Sequence, residues 1–202
     1  MSAFLGPIHY WVYNKITLQE EFIKDIIKAS NDNNWDTELE DKLSNACGVI
    51  DNRPLEEIID GSNIHGWLQS RISVTEGRLS FAVTTLLKED GNRKNSLFQL
   101  AFDFGKKHAI AEDASASDAF QAISDSLIDG MPCDRVNEVL EQGDNYILWQ
   151  QTTCVHARYW ESLGETADIY YELRKKITEG MLSGTKLSFV EQEESVYRIS
   201  EE

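Results

Sequence analysis

At 202 residues and 23.0 kDa the chain is the size of one ordinary domain or two small ones, and it can bury roughly 70% of its surface on folding without a disulfide staple. With 41% apolar and 27% charged residues, and five Trp, seven Tyr and eight Phe, a packed core is expected and intrinsic disorder is excluded. A net charge of -16, from 19 basic against 35 acidic side chains, argues against nucleic-acid phosphate or an anionic lipid surface as the main partner.

Pro7 suits the first turn of a helix, and Leu5, Val12, Ile16, Ile23, Ile26 and Ile27 recur at three-to-four spacing through Ala29, which predicts a long amphipathic helix. The polar run Ser30-Asn31-Asp32-Asn33-Asn34 ends it, and Asp36 or Thr37 can cap a shorter helix carrying Leu39, Leu43, Ala46 and Val49. Pro54 opens a short helical piece through Asp60, Gly61-Ser62-Asn63 interrupts, and Ile64, Leu68 and Ile72 resume a stripe. Between Thr75 and Asp90 the apolar residues fit a strand or a helix, and helix is the reading taken. Leu97, Leu100, Ala101 and Phe104 mark a helix reaching about Ile110, and Ser115 or Ser117 caps the next, which carries Phe120, Ile123 and Leu127 before the stop at Gly130-Met131-Pro132.

Gly143-Asp144 then reads as a turn and cap for a long helix from Asn145 to Leu163, ended by Gly164. Thr166 caps a further helix with Ile169, Tyr170, Leu173, Ile177 and Met181 on one stripe. Leu187 and Phe189, then Tyr197 and Ile199, alternate like a hairpin. An isolated hairpin is marginal in water, so it has to dock on the helices or find a further strand. The expected fold is therefore mainly α: a helical bundle over residues 1–184, with a four-helix core and a duplicated hairpin as one form of it, and a small C-terminal β-hairpin over 185–202.

The duplication rests on one internal similarity. Ile8-His9-Tyr10-Trp11 through Ile16 lies on Ile64-His65-Gly66-Trp67 through Ile72 without gaps. If both descend from one unit, the first and third helices run parallel and bring His9 and His65 to the same end of the bundle.

Three histidines carry the leading functional expectation. His9 falls on the apolar face of the first helix, His65 shares a stripe with Leu68 and Ile72, and His156 shares one with Trp149, Thr152, Tyr159, Trp160 and Leu163. Three neutral imidazoles from rigid helices suit a divalent metal, zinc, nickel or iron, with an open position for water or substrate. Tyr13, Gln69, Thr152 and Trp160 are the accompanying candidates for cofactor or substrate contact. Metal bundles with three histidines, such as the DinB-like group, offer an architectural analogy, although none of that group's motifs is matched. His108, after Gly105-Lys106-Lys107, reads as a cation at a helix C-terminus.

Other chemistries lack their signatures. No HExxH, GxSxG, GxGxxG or GxxxxGK occurs, and no glutamate stands three residues before any histidine as a di-iron bundle requires. Cys154 and His156 on a helix are about 200° apart, so Cys154 is expected in the core rather than in a site. The competing class is a non-enzymatic binding module whose aromatics line a pocket for a small apolar ligand, haem or a partner helix. Cys47, Cys133 and Cys154, odd in number and without CxxC, suggest reduced thiols in the cytoplasm. The opening MSAFLGPIHYWVYNK has no basic leader, and no run approaches about 18 apolar residues, so neither a signal peptide nor a membrane span is expected.

Overall fold

Pro7 opens a helix that runs unbroken to Asp32 (α1, Pro7–Asp32), its missing N–H falling in the first turn, where no intrahelical acceptor exists. The computed structural model describes residues 4–51 and 53–201. After α1 come α2 (Leu39–Cys47), the single turn α3 (Leu55–Ile58) and the second long helix α4 (Ile64–Glu89), which settles residues 75–89 as helix. α5 (Lys94–Lys107) and α6 (Ala116–Ser126) follow; Ser115 caps α6 through a reciprocal exchange with Asp118. The described residues are 59% helical, and their eight helices are joined by one antiparallel sheet. None of the described helices is long and apolar enough to cross a membrane.

The stretch expected as a helix from Asn145 to Leu163 is a correction. It begins as strand β2 (Tyr146–Gln151), bends through 152–156, and becomes helical only for α7 (Ala157–Glu161). Gly143-Asp144 is the turn of a hairpin rather than a helix cap, joining β2 to β1 (Asn137–Gln142). Tyr-Ile-Leu-Trp is rich in aromatic and branched side chains, and Ile147, Trp149 and Gln151 are buried on alternate positions, as a half-buried strand requires. The helical spacing of Trp149, Thr152 and His156 spans three different conformations. α8 (Asp168–Leu182) leads into the C-terminal hairpin, β3 (Leu187–Glu193) and β4 (Val196–Glu201). That hairpin does find further strands: the sheet order is β1-β2-β4-β3, with Trp149 opposite Tyr197 across the central pair.

α1 and α4 lie side by side and parallel, as the internal similarity predicts. His9 and His65 have ring centroids 5.8 Å apart, Tyr13 and Trp67 6.2 Å apart, and further along Gln19 meets Glu76 and Glu20 meets Arg78. Two apolar clusters form along this pair. One, near the helix N-termini, joins Val12, Ile16, Leu68 and Ile72 to Leu55, Ile128 and Met131. The larger joins Phe22, Ile23, Leu79 and Val83 to α5, α6, α8 and the sheet. Buried polar residues, Glu20 on α1 and Thr75, Glu76 and Arg78 on α4, separate the two.

Candidate functional site

Glu20 and Glu76 each stand four residues after a buried isoleucine, Ile16 and Ile72, so helical geometry carries both carboxylates inward on the apolar stripe. A buried carboxylate must be paired and hydrogen-bonded to persist charged. Arg78 answers Glu20 with its Nε 3.2 and 3.1 Å from the two oxygens and gives an N–H to the Gly48 carbonyl at 2.8 Å. Glu76 is satisfied differently. Gln19 donates to one of its oxygens at 2.9 Å, and His156 Nδ1 lies 2.8 Å from the other.

His156 reaches Glu76 because the chain bends out of β2 and places the imidazole just ahead of α7. Its ring stacks on Tyr170 of α8 at 3.9 Å and meets Tyr171 edge-on at 6.1 Å. A carboxylate only accepts, so Nδ1 is the donor to Glu76. Nε2 is buried and has no hydrogen-bond partner among the described residues. The Trp160 indole nitrogen is also unpartnered, but Trp160 sits in the larger apolar cluster, whereas His156 lines a cleft.

The cleft holds about 490 Å³. Gln69, Ser73 and Glu76 of α4 form one wall, Gly130 and Asp134 a second, and Cys154, His156, Arg158 and Tyr159 the third. Gly130 turns the chain with φ +72°, and a Cβ there would come 2.5 Å from an Asp134 carboxylate oxygen. The same carboxylate oxygen accepts the Met131 N–H at 2.8 Å, which fixes this wall. Behind His156, Asp129 accepts from Arg174 at 2.9 Å, from Asn137 at 2.8 Å and from Gln151 at 3.2 Å, tying α8 to β1 and β2. Burial works to lower the Arg174 pKa, but Asp129 and the Tyr170 hydroxyl outweigh it and keep the guanidinium charged. Burial raises Tyr170 well above the phenol range, against the opposing pull of Arg174. Tyr171 is raised too, first by burial and then by the Cys154 thiol beside it. Both tyrosines therefore stay protonated donors.

The three histidines expected at one ion are not brought together. His9 and His65 are neighbours, but His156 meets α4 at Glu76, eleven residues beyond His65, about 16 Å along the helix axis. Nδ1 of His9 accepts the Gly6 N–H at 3.0 Å, and His65 is exposed. Among the described residues there is no group of three or more His, Cys, Asp or Glu placed to hold a metal ion. Of the accompanying candidates only Gln69 shares the cleft with His156. The Tyr13 hydroxyl donates to the carbonyls of Asp51 and Arg53 at 3.1 and 2.9 Å, Thr152 donates to that of Val136 at 3.2 Å, and Trp160 is 1% exposed in the core. His108 follows the end of α5, 3.7 Å from Glu21, a helix-end position as expected. The aromatics Phe120, Trp149, Phe189 and Tyr197 pack on one another at centroid distances of 4.9 to 5.9 Å. Cys154, expected in the core, is exposed, in the irregular stretch between β2 and α7.

The sequence reading passed over Glu76 and placed Cys154 in the core. For Glu76 a signal existed: a carboxylate at the i+4 position of an apolar stripe is inward unless the helix rotates. Compared with known proteins, the chain matches no family model, no curated protein and no solved structure.

Proposed function

We infer that the chain is an enzyme of hydrolytic type acting on a small molecule held in the cleft, with His156 Nε2 as general base and acid. The observation that carries this reading is the buried 2.8 Å pair of His156 Nδ1 with Glu76, on a ring whose other nitrogen has no partner among the described residues, in a residue that lines a cleft of about 490 Å³. Glu76 fixes the tautomer and steadies the imidazolium formed when Nε2 takes a proton, while the stacked Tyr170 holds the ring plane. A buried polar atom left unmatched by protein calls for an explanation, and a substrate or its attacking water supplies one. Three free thiols suit a reducing, cytoplasmic setting.

The test is hydrolysis of a panel of p-nitrophenyl esters and anilides by the wild type and His156→Gln. General-base loss should lower kcat by about 10²-fold or more with little change in KM. Equal kcat in a folded His156→Gln protein would overturn the assignment.

A second reading is favoured by the His9–His65 pair, whose 5.8 Å centroid separation suits two imidazoles on one zinc, nickel or iron ion. Two protein ligands leave the remaining positions to water or substrate. Zinc titration of the wild type against His9→Ala and His65→Ala, with His156→Ala as control, tests it; equal zinc affinity in all four would remove the metal from consideration.

A further inference from the structure

We propose that Cys154 is the nucleophile of this cleft, attacking the carbonyl carbon of a small ester or amide to form a thioester on its Sγ, with His156 moving the protons. The proposal rests on the reading of His156 as acid and base and adds to it a covalent step and a substrate class. Cys154 and His156 lie two residues apart in the irregular stretch between β2 and α7 and line the same cleft. The bend removes the helical geometry that would have set them on opposite faces. Tyr171 joins them, with its hydroxyl beside the Cys154 thiol and its ring edge-on to His156 at 6.1 Å. Glu76 supplies the orienting group that a cysteine–histidine pair needs. His156 is 1% exposed, and its Nε2 has no hydrogen-bond partner among the described residues, which leaves that nitrogen unclaimed as the acceptor of a thiol proton.

In the first step the Cys154 S–H proton passes to Nε2 and the Sγ–C bond forms. The C–O or C–N bond then breaks, and the leaving alcohol or amine takes the proton from Nε2. In the second, water gives a proton to Nε2 as its oxygen adds to the thioester carbon; the C–S bond breaks and the thiolate recovers the proton. No oxidant or cofactor enters the balance. The other two cysteines are different: Cys47 is half-buried, and Cys133, though exposed, is outside the cleft lining.

The experiment uses the full chain. Iodoacetamide labelling near pH 7, followed by peptide mass spectrometry, should modify Cys154 about tenfold faster than Cys133, the internal control. His156→Gln, confirmed folded by circular dichroism, should bring Cys154 down to the Cys133 rate; Glu76→Gln is the substitute if that variant does not fold. Equal rates for the two cysteines in the wild type, or a Cys154 rate unaffected by losing the imidazole, would overturn the proposal. In parallel, p-nitrophenyl acetate should leave an acetyl group on Cys154, and Cys154→Ala should abolish p-nitrophenolate release. Should Cys154→Ala keep the release that His156→Gln loses, the nucleophile falls and the acid–base reading stands, with water attacking directly. If neither variant alters it, both fall.

Discussion

Glu76 and His156, eighty positions apart in the chain, meet at 2.8 Å with side chains 2% and 1% exposed. This contact fastens the bend after β2 to the middle of α4 and gives the cleft a fixed wall. Removing the carboxylate strands the donors that served it, at about 1–3 kcal/mol for each buried group left unsatisfied. Glu76→Leu should therefore lose stability on that scale in urea denaturation, because His156 Nδ1 and the Gln19 amide both lose their acceptor. A loss below about 1 kcal/mol, the range of exposed pairs, would mean that water reaches the contact.

The second buried pair in this polar layer predicts an asymmetry. Arg78→Met leaves the Glu20 carboxylate without its cation and the Gly48 carbonyl without its donor, and should cost about 3–5 kcal/mol. Adding Glu20→Met should recover most of the loss, since two apolar side chains would join the clusters on either side. If the double variant is no more stable than Arg78→Met, then the Gly48 contact, not the charge pair, dominates.

How far the site could be read from sequence follows from which interactions are local. The stripes through Val12, Ile16, Leu68 and Ile72 obey helical spacing, so α1 and α4 were legible, and the matched Ile-His-x-Trp segments foretold their parallel pairing. Strand β2 was lost because Trp149, His156, Tyr159 and Leu163 happen to share a helical stripe. Five of the six β1 residues are exposed, so β1 offered no apolar alternation to contradict that reading. His156 could not have been assigned its partner: no short-range rule links it to Glu76, and only the folded chain measures their separation. Cys154 was placed in the core, and its exposure is visible only once the course of the chain between β2 and α7 is known.

The crossing of α5 and α8 makes a separate prediction about packing. A Cβ on Gly105 would lie 2.1 Å from the Ile177 carbonyl oxygen, and one on Gly180 would lie 2.1 Å from that of Phe102. Both obstacles are helix backbone and cannot rotate away, so an added methyl must push the helices apart. Gly105→Ala and Gly180→Ala should each destabilise by about 1–3 kcal/mol or more, despite the gain of up to ~1 kcal/mol in helix propensity. Gly61→Ala, with nothing within 4 Å, is the control and should be near neutral in thermal denaturation. Equal melting temperatures for all three would show that the helices do not approach this closely.

Lys15 gives the pH-dependent prediction. It is 4% exposed, its ammonium lies 3.7 Å from the Trp11 ring centroid, and it forms no ion pair among the described residues. Burial pushes its pKa down to about 8 from 10.5; Asp129 and Asp125 oppose the shift and Arg174 adds to it. Below pH 8 the lysine is charged in both folded and unfolded chains, and the folded one bears the desolvation cost. Between about 8 and 10.5 the unfolded chain holds a proton that the folded chain has released, so Lys15's contribution to stability rises with pH through this window. Lys15→Met should accordingly stabilise the protein by about 1–3 kcal/mol at neutral pH. That advantage over the wild type should shrink as the pH approaches ~10, where both proteins carry a neutral side chain here. Urea denaturation of the two proteins at neutral and alkaline pH checks the sign. A difference that stays constant across the window would mean that Lys15 keeps its charge and its hydration in the folded chain.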